Sequence, residues 1–276
     1  SVSGRTDIYS IFVADSADTD NARIESETNS SPLQQWTHVC FSYKSNSATG
    51  LKLYINGRED SNSPVSTSTI GAISGGSNPF RIGSTSAGGA YFDGKMDEVV
   101  MWNTSTDLSN KTGLPVYMAG DRPGTYLQTV IGETEYATGL PDINTAGYWK
   151  LDETTPDYAE SAMVKTGLVG WWKMNESSGN VADSSGNGFT GVVTGTTVTG
   201  GRSGYARSLN GTSSDYITVA ENNALDPANI TISVWIKPAS GAGNFVNKGD
   251  NSGYRFRTTS GSTVVQFLDR GGTNAL

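Results

Sequence analysis

Few side chains in this 276-residue sequence have the chemistry of a reactive centre. Asp97 and Glu98 are adjacent in Gly94-Lys95-Met96-Asp97-Glu98-Val99-Val100-Met101-Trp102. Two carboxyl groups cleave a glycosidic bond when acid and nucleophile flank it at roughly 5–5.5 Å. Neighbouring strand residues point to opposite faces, so this pair converges only across a bulge. The chain has one histidine, His38. A zinc site of clustered His and Cys within the chain is thereby excluded, and any Ser-His-Asp system would have to use His38. It lies on the strand-like run Trp36-Thr37-His38-Val39, where a packed, structural His is expected. Cys40, two residues on, reads as a small packed side chain rather than a nucleophile. No catalytic residue and no organic cofactor site is assigned.

The most credible ligand is calcium. Asp183, Asn187 and nearby carbonyls are hard oxygen donors on the Gly-rich loop Ala182-Asp183-Ser184-Ser185-Gly186-Asn187-Gly188, which can curl around a cation. An ordinary turn, in which Asp and Asn satisfy backbone amides, accounts for the same residues. Trp102, Trp171, Trp172 and Trp235 could stack on sugars, but their strand positions make core packing the default. The triplets beginning at Asn103, Asn110, Asn210 and Asn229 could accept glycans; a chain rich in Asn, Ser and Thr produces such triplets by chance.

These residues need strands to position them. Gly reaches 34 residues while charged residues make up 17%, a composition suited to short strands joined by many turns. Val39, Phe41 and Tyr43 share a face at period two. Leu51 to Ile55 forms a second strand and runs into Asn56-Gly57, a dipeptide that takes the positive φ angles of a tight hairpin turn. Phe80 to Gly83 and Gly94 to Trp102 give two more. After a turn-rich stretch containing Pro123, Pro141 and Pro156, strands are expected at Leu168 to Met174, Tyr216 to Val219, Ile230 to Lys237, Tyr254 to Arg257 and Val264 to Leu268.

A formal net charge of -8 repels a phosphate backbone, and no run of Lys or Arg overrides it, so nucleic acid is not an expected partner. No apolar stretch approaches the roughly 20 residues of a bilayer span, and no signal peptide opens the sequence. A lone Cys40 leaves the redox compartment open.

The run Gly167-Leu168-Val169-Gly170-Trp171-Trp172-Lys173-Met174-Asn175-Glu176, followed by residues 182–188, resembles the opening strand and first loop of laminin-G-like jelly rolls of the concanavalin A-like lectin/glucanase superfamily. Ser208-Leu209-Asn210-Gly211 and Ile232-Ser233-Val234-Trp235-Ile236-Lys237-Pro238 continue that order. Residues 36–43, 51–57, 80–83 and 94–102 resemble the family's later strands, and Leu108-Ser109 with Tyr117 its closing segment. The resemblance implies an all-β, antiparallel jelly-roll β-sandwich. It adds Asp97 to Asp183 and Asn187 as a calcium candidate, because Asp97 resembles a position near such loops. The alternating three-carboxylate strand of the family's glucanases is absent.

The order of these motifs is reversed along the chain. A circularly permuted sandwich would use residues 167–276 and then 1–118. Yet Tyr9-Ser10-Ile11 with Arg23-Ile24 resembles Tyr254-Arg255-Phe256 with Gln266-Phe267, as though both pieces carried the same middle strands. That overlap favours two incomplete tandem modules: 1–118 holding the later strands of one jelly roll, 119–166 a connector, and 167–276 the first half of a second. Within the connector, Tyr148 to Glu153 aligns with Trp171 to Glu176 and reads as a degenerate opening-strand repeat.

The function expected is that of a non-enzymatic binding or structural module, one of several tandem repeats in a surface, fibre or virion protein, exposed outside the cell or on a virion. Its partners would be glycans or surface proteins, and neighbouring subunits or adjacent repeats through strand complementation. Two alternatives stay open: an accessory carbohydrate-binding region of a larger carbohydrate-active enzyme, and a purely architectural coat or filament subunit.

Overall fold

The computed structural model describes residues 8–15, 20–27, 30–73, 75–85, 89–105, 166–249 and 253–259. Fifteen strands follow one another: β1 (Ile8–Ala14), β2 (Asn21–Glu25), β3 (Thr37–Lys44), β4 (Leu51–Ile55), β5 (Arg58–Glu59), β6 (Phe80–Ile82), β7 (Asp93–Trp102), β8 (Leu168–Trp172), β9 (Gly191–Thr194), β10 (Thr197–Gly200), β11 (Tyr205–Asn210), β12 (Tyr216–Val219), β13 (Asn229–Pro238), β14 (Gly243–Lys248) and β15 (Gly253–Thr259). They form two antiparallel sheets, seven-stranded in the order β2-β1-β15-β14-β6-β12-β9 and eight-stranded in the order β10-β11-β7-β13-β3-β4-β5, with β8 also pairing β7. The expected β-sandwich, consistent with a jelly roll, is the fold observed.

The strands form where side chains alternate. On β13, Ile230, Ile232, Val234 and Ile236 enter the core between the sheets while Thr231, Ser233 and Trp235 face away, and Pro238, lacking an N–H, ends the strand. On β3, Val39, Phe41 and Tyr43 face the same core, each burial contributing about 1.5–3 kcal/mol. The hairpin joining β4 and β5 turns at Asn56 and Gly57, with φ of 48° and 79°, the two positive values expected of that dipeptide.

The described strands of the 1–118 and 167–276 segments interleave within the same two sheets. The β13 strand, from the C-terminal segment, lies between β3 and β7, both from the N-terminal segment, and β6 lies between β14 and β12. The described strands therefore close into one sandwich, in the arrangement expected of a permuted domain. The misleading similarity has a physical origin. Tyr9 to Ile11 and Tyr254 to Phe256 belong to β1 and β15, antiparallel neighbours in one sheet, and two strands that face the same core carry the same alternation. The Val264 to Leu268 strand, the connector and its repeat, and the closing segment at Leu108 and Tyr117 lie outside the described residues.

Contacts across the core join the two segments further. The Phe80 ring stacks on Trp172 at 5.2 Å, and Phe41 meets Phe256 edge to face at 5.3 Å. Lys248, fully buried, sets its Nζ 3.0 Å from Asp226 Oδ2 and donates to the carbonyls of Gly76 and Asn78. The Gly75 amide donates to the other Asp226 oxygen. A Cβ on Gly75 would lie 2.7 Å from the Lys248 side chain, so only glycine allows this approach.

Candidate functional site

On the face of the eight-stranded sheet turned away from the core, β7 carries the bulge that the adjacent carboxylates require. Asp97 pairs with Trp235 and Val100 with Ser233, leaving Glu98 and Val99 opposite Val234 alone. Glu98 takes φ of 52°, left-handed backbone that a non-glycine residue adopts at a cost. The extra residue turns both carboxylates to the same outer face. Asp97 Oδ2 accepts from the backbone amides of Arg202 at 2.7 Å and Ser203 at 3.2 Å, and Glu98 Oε2 accepts from Trp171 Nε1 at 2.7 Å. Asp97 is fully buried. Burial first, and Glu98 second, raise its pKa from 3.8 to about 7, against the lowering pull of the backbone amides. The pair converges, but each carboxylate is committed to holding a neighbouring segment.

The aromatic groups of this face are packed rather than presented. Trp102 and Trp171 are buried with Cys40, Tyr54 and Val100 in a second cluster, and Trp172 lies in the main core. Trp235 is half-buried under the Arg202 guanidinium, 4.8 Å from its ring centre, and meets His38 edge to face at 5.3 Å. His38 Nε2 lies 2.6 Å from Ser233 Oγ, the spacing of a nucleophile and base. Its Nδ1 has no hydrogen-bond partner, so the orienting carboxylate of a triad is missing. Complete burial lowers the His38 pKa to about 3, keeping the ring neutral, and the buried Cys40 thiol is raised well above its ordinary range.

The loop after β8 is held by its own acid. Asp183 Oδ1 accepts from the amides of Trp171 and Ser185; Oδ2 accepts from the Ser185 hydroxyl and the Phe189 amide. Asn187 donates through Nδ2 to the carbonyls of Leu168 and Val169. Asp183, Asn187 and Asp97 therefore hold different segments, and the described residues contain no group of three or more His, Cys, Asp or Glu suited to a metal ion. Asp183 faces four donors, whereas calcium needs that carboxylate among other oxygens. This arrangement does not fit a cation shared by the three residues.

The outer face of the seven-stranded sheet is different in kind. Core-facing residues alternate on its strands with Ser10, Phe12, Arg23, Glu25, Arg81, Tyr216, Thr218, Arg255 and Arg257 on the outer side. Phe12 is opposite Arg23 on one side and Arg255 on the other; Asn247 is opposite Arg255 and Arg81. The Arg81 guanidinium lies 4.4 Å from the centre of the Tyr216 ring. Arg23 Nε donates to Ser10 Oγ at 3.2 Å, and its guanidinium pairs with Glu25. These arginines were not singled out from the sequence. The available signal was their position: Arg255 and Arg257 alternate with Tyr254 and Phe256, and Arg81 lies between Phe80 and Ile82.

The sandwich, with its polar outer face, is the setting in which comparison with known families becomes informative. Residues 2–109 match the family model described as the Concanavalin A-like lectin/glucanases superfamily. The matched lectin-like segment ends after β7 and carries the later-strand motifs whose resemblance the sequence suggested. No curated protein and no solved structure matches the chain. Laminin-G-like members of the superfamily are generally non-catalytic binding modules, and the superfamily also includes glycosidases. Among the described residues no helix is long and apolar enough to cross a membrane.

Proposed function

We propose that this chain is a non-enzymatic binding module of a surface-exposed protein, and that it engages its ligand, a glycan before a protein, on the outer face of the seven-stranded sheet. The observation that carries this reading is the contrast between the two outer faces. Groups capable of acid–base or nucleophilic chemistry, Asp97, His38, Ser233 and Cys40, are buried within the packed eight-stranded sheet. The seven-stranded sheet also buries Ser10, Asn244 and Asn247 on its outer side, but leaves the guanidinium of Arg81, the hydroxyl of Thr218 and the ring of Tyr216 half-buried, groups that can bind sugars by hydrogen bonds and stacking. The lectin-like match of residues 2–109 supports carbohydrate or protein binding, and an extracellular, cell-surface or virion-surface setting accords with it.

The array of tandem repeats in a surface, fibre or virion protein belongs to the same proposal. Strand complementation by neighbouring subunits or adjacent repeats is part of this reading. Neighbouring subunits or repeats would meet it at the edge strands, β2 and β9 of one sheet or β5 and β10 of the other, where backbone groups are available for pairing.

Broad glycan-array screening, followed by an assay for new reducing ends on any bound glycan, tests the reading. Retention of an intact glycan is the expected result. Cleavage abolished by Asp97→Asn would overturn the non-enzymatic assignment, and absence of glycan binding together with regular assemblies in the electron microscope would favour the architectural alternative.

A further inference from the structure

The four edge strands of the sandwich are not equally closed. On β2, which carries the charged Arg23 and Glu25, the Glu25 carbonyl accepts from Asn62 Nδ2 at 3.0 Å. The β5 edge is two residues long, and both, Arg58 and Glu59, are charged. On β9, Gly191 exchanges backbone hydrogen bonds with Val181, and the Val193 amide donates to Asn180 Oδ1 at 3.1 Å. Charges, extreme shortness and covering groups are devices that keep a sheet edge from pairing. The fourth edge, β10, is the uncharged run Thr197-Val198-Thr199-Gly200, rich in the β-branched residues that favour strands. Its ladder to β11 decides which groups stay open. The Gly201 amide donates to the Gly204 carbonyl where the hairpin turns, and hydrogen-bonded pairs alternate from there, so Thr199 and Thr197 bond Ala206 and Ser208. The N–H and C=O of Val198 and Gly200 therefore point away from the sheet, and among the described residues they have no hydrogen-bond partner. The space beside them is open: a Cβ on Gly200 would meet no atom within 4 Å, and Tyr205, its partner on β11, is 48% exposed.

A second copy of the same edge fits these groups. Laid antiparallel about a two-fold axis through Thr199, Val198 of each copy faces Gly200 of the other. Each such pair exchanges both of its backbone hydrogen bonds, so all the open groups of the two edges are satisfied. The register also places the side chains. Tyr205, Gly200 and the second copy's Val198 form a row on one face of the joined sheet, and the valine covers the exposed tyrosine ring across the bare glycine. On the other face the two Thr199 side chains meet as a non-hydrogen-bonded pair. Lys95 Nζ already donates to Thr199 Oγ1 at 2.8 Å, which leaves a hydroxyl proton for a bond between the threonines. We propose that β10 pairs with β10 of a second copy of this chain, joining two eight-stranded sheets into one continuous sheet. The proposal rests on the strand-pairing part of the reading above and names its edge and its partner.

Sedimentation equilibrium of the full chain over a range of concentrations tests it. A reversible dimer is expected. Val198→Pro, which removes an outward N–H at a solvent-facing edge, and Thr199→Lys, which sets two like charges against each other across the axis, should each weaken it about tenfold or more. Mild oxidation of the Thr199→Cys variant should give a dimer linked through residue 199, because non-hydrogen-bonded partners lie about 4.5 Å apart at Cα, within the reach of a disulfide. If Val198→Pro fails to fold, the Thr199→Lys and Thr199→Cys results still decide. A dimer that persists in both substituted chains and stays unlinked in Thr199→Cys would overturn β10 as the pairing edge and leave strand pairing at another edge standing. A monomer at every concentration would overturn the proposal together with the pairing of subunits on which it rests.

Discussion

Asp97 shows how much a single residue's meaning depends on structure. Its sequence position suggested half of a carboxylate pair or a calcium ligand; in the fold it binds the amides of Arg202 and Ser203 and so holds the turn between β10 and β11 against β7. The necessary bulge was not legible, because a period-two pattern assigns faces and does not reveal where an extra residue interrupts the ladder. The raised pKa has a direct consequence. In the unfolded chain Asp97 titrates near its ordinary 3.8, and in the folded chain near 7, so between these values the folded state holds more protons. The stability contributed by protonated Asp97 is present below pH 4 and is lost as pH rises towards 7. Relative to Asp97→Asn, which cannot ionise, the native protein should lose stability across that interval. Urea denaturation of both proteins at pH 4.5 and pH 8 measures the difference, and parallel pH profiles would contradict the burial argument.

At the scale of elements, local pattern proved informative. Alternation located β3, β4, β7, β12, β13 and β15, and the Asn56-Gly57 turn was legible because few dipeptides accept two positive φ angles. Strands β9, β10 and β14 were not separately recognised: β9 and β10 have four residues each, too few for a clear period, and the six-residue β14 is buried throughout, with a bulge that breaks its alternation. The loop after β8 was recognised as an element, and its two readings predict different behaviour. With four donors on the Asp183 carboxylate, Asp183→Ala should cost about 2–4 kcal/mol of stability in the absence of calcium. Thermal unfolding with chelator and with added calcium separates the readings. A loss seen only when calcium is present would restore Asp183 as a metal ligand.

For the whole molecule, the two outer faces and the closure of the sandwich depend on which strands become neighbours. Outward positions could be read strand by strand, including those of Arg255 and Arg257, but a row of arginines exists only once β2, β1, β15, β14 and β6 lie side by side in register. Sequence alternation specifies a face and leaves the partner open. For the same reason, Tyr9 to Ile11 and Tyr254 to Phe256 read as duplicates when they are neighbours. The Lys248 and Asp226 ion pair was equally illegible, since lysine is rarely buried without a partner and that partner is supplied by the fold.

The central claim is that residues of the N- and C-terminal segments build one sandwich, and on it the binding face depends. Cys40 on β3 and Ser233 on β13 are register partners, and paired residues of antiparallel strands lie about 4.5–5.5 Å apart at Cα, within the range that a disulfide spans. The most direct measurement is therefore mild oxidation of the Ser233→Cys variant in dilute solution, followed by non-reducing electrophoresis and mass mapping. The account predicts a monomer with a disulfide between Cys40 and the introduced thiol. A variant that stays fully reduced while folded, or that links only between chains, would contradict it.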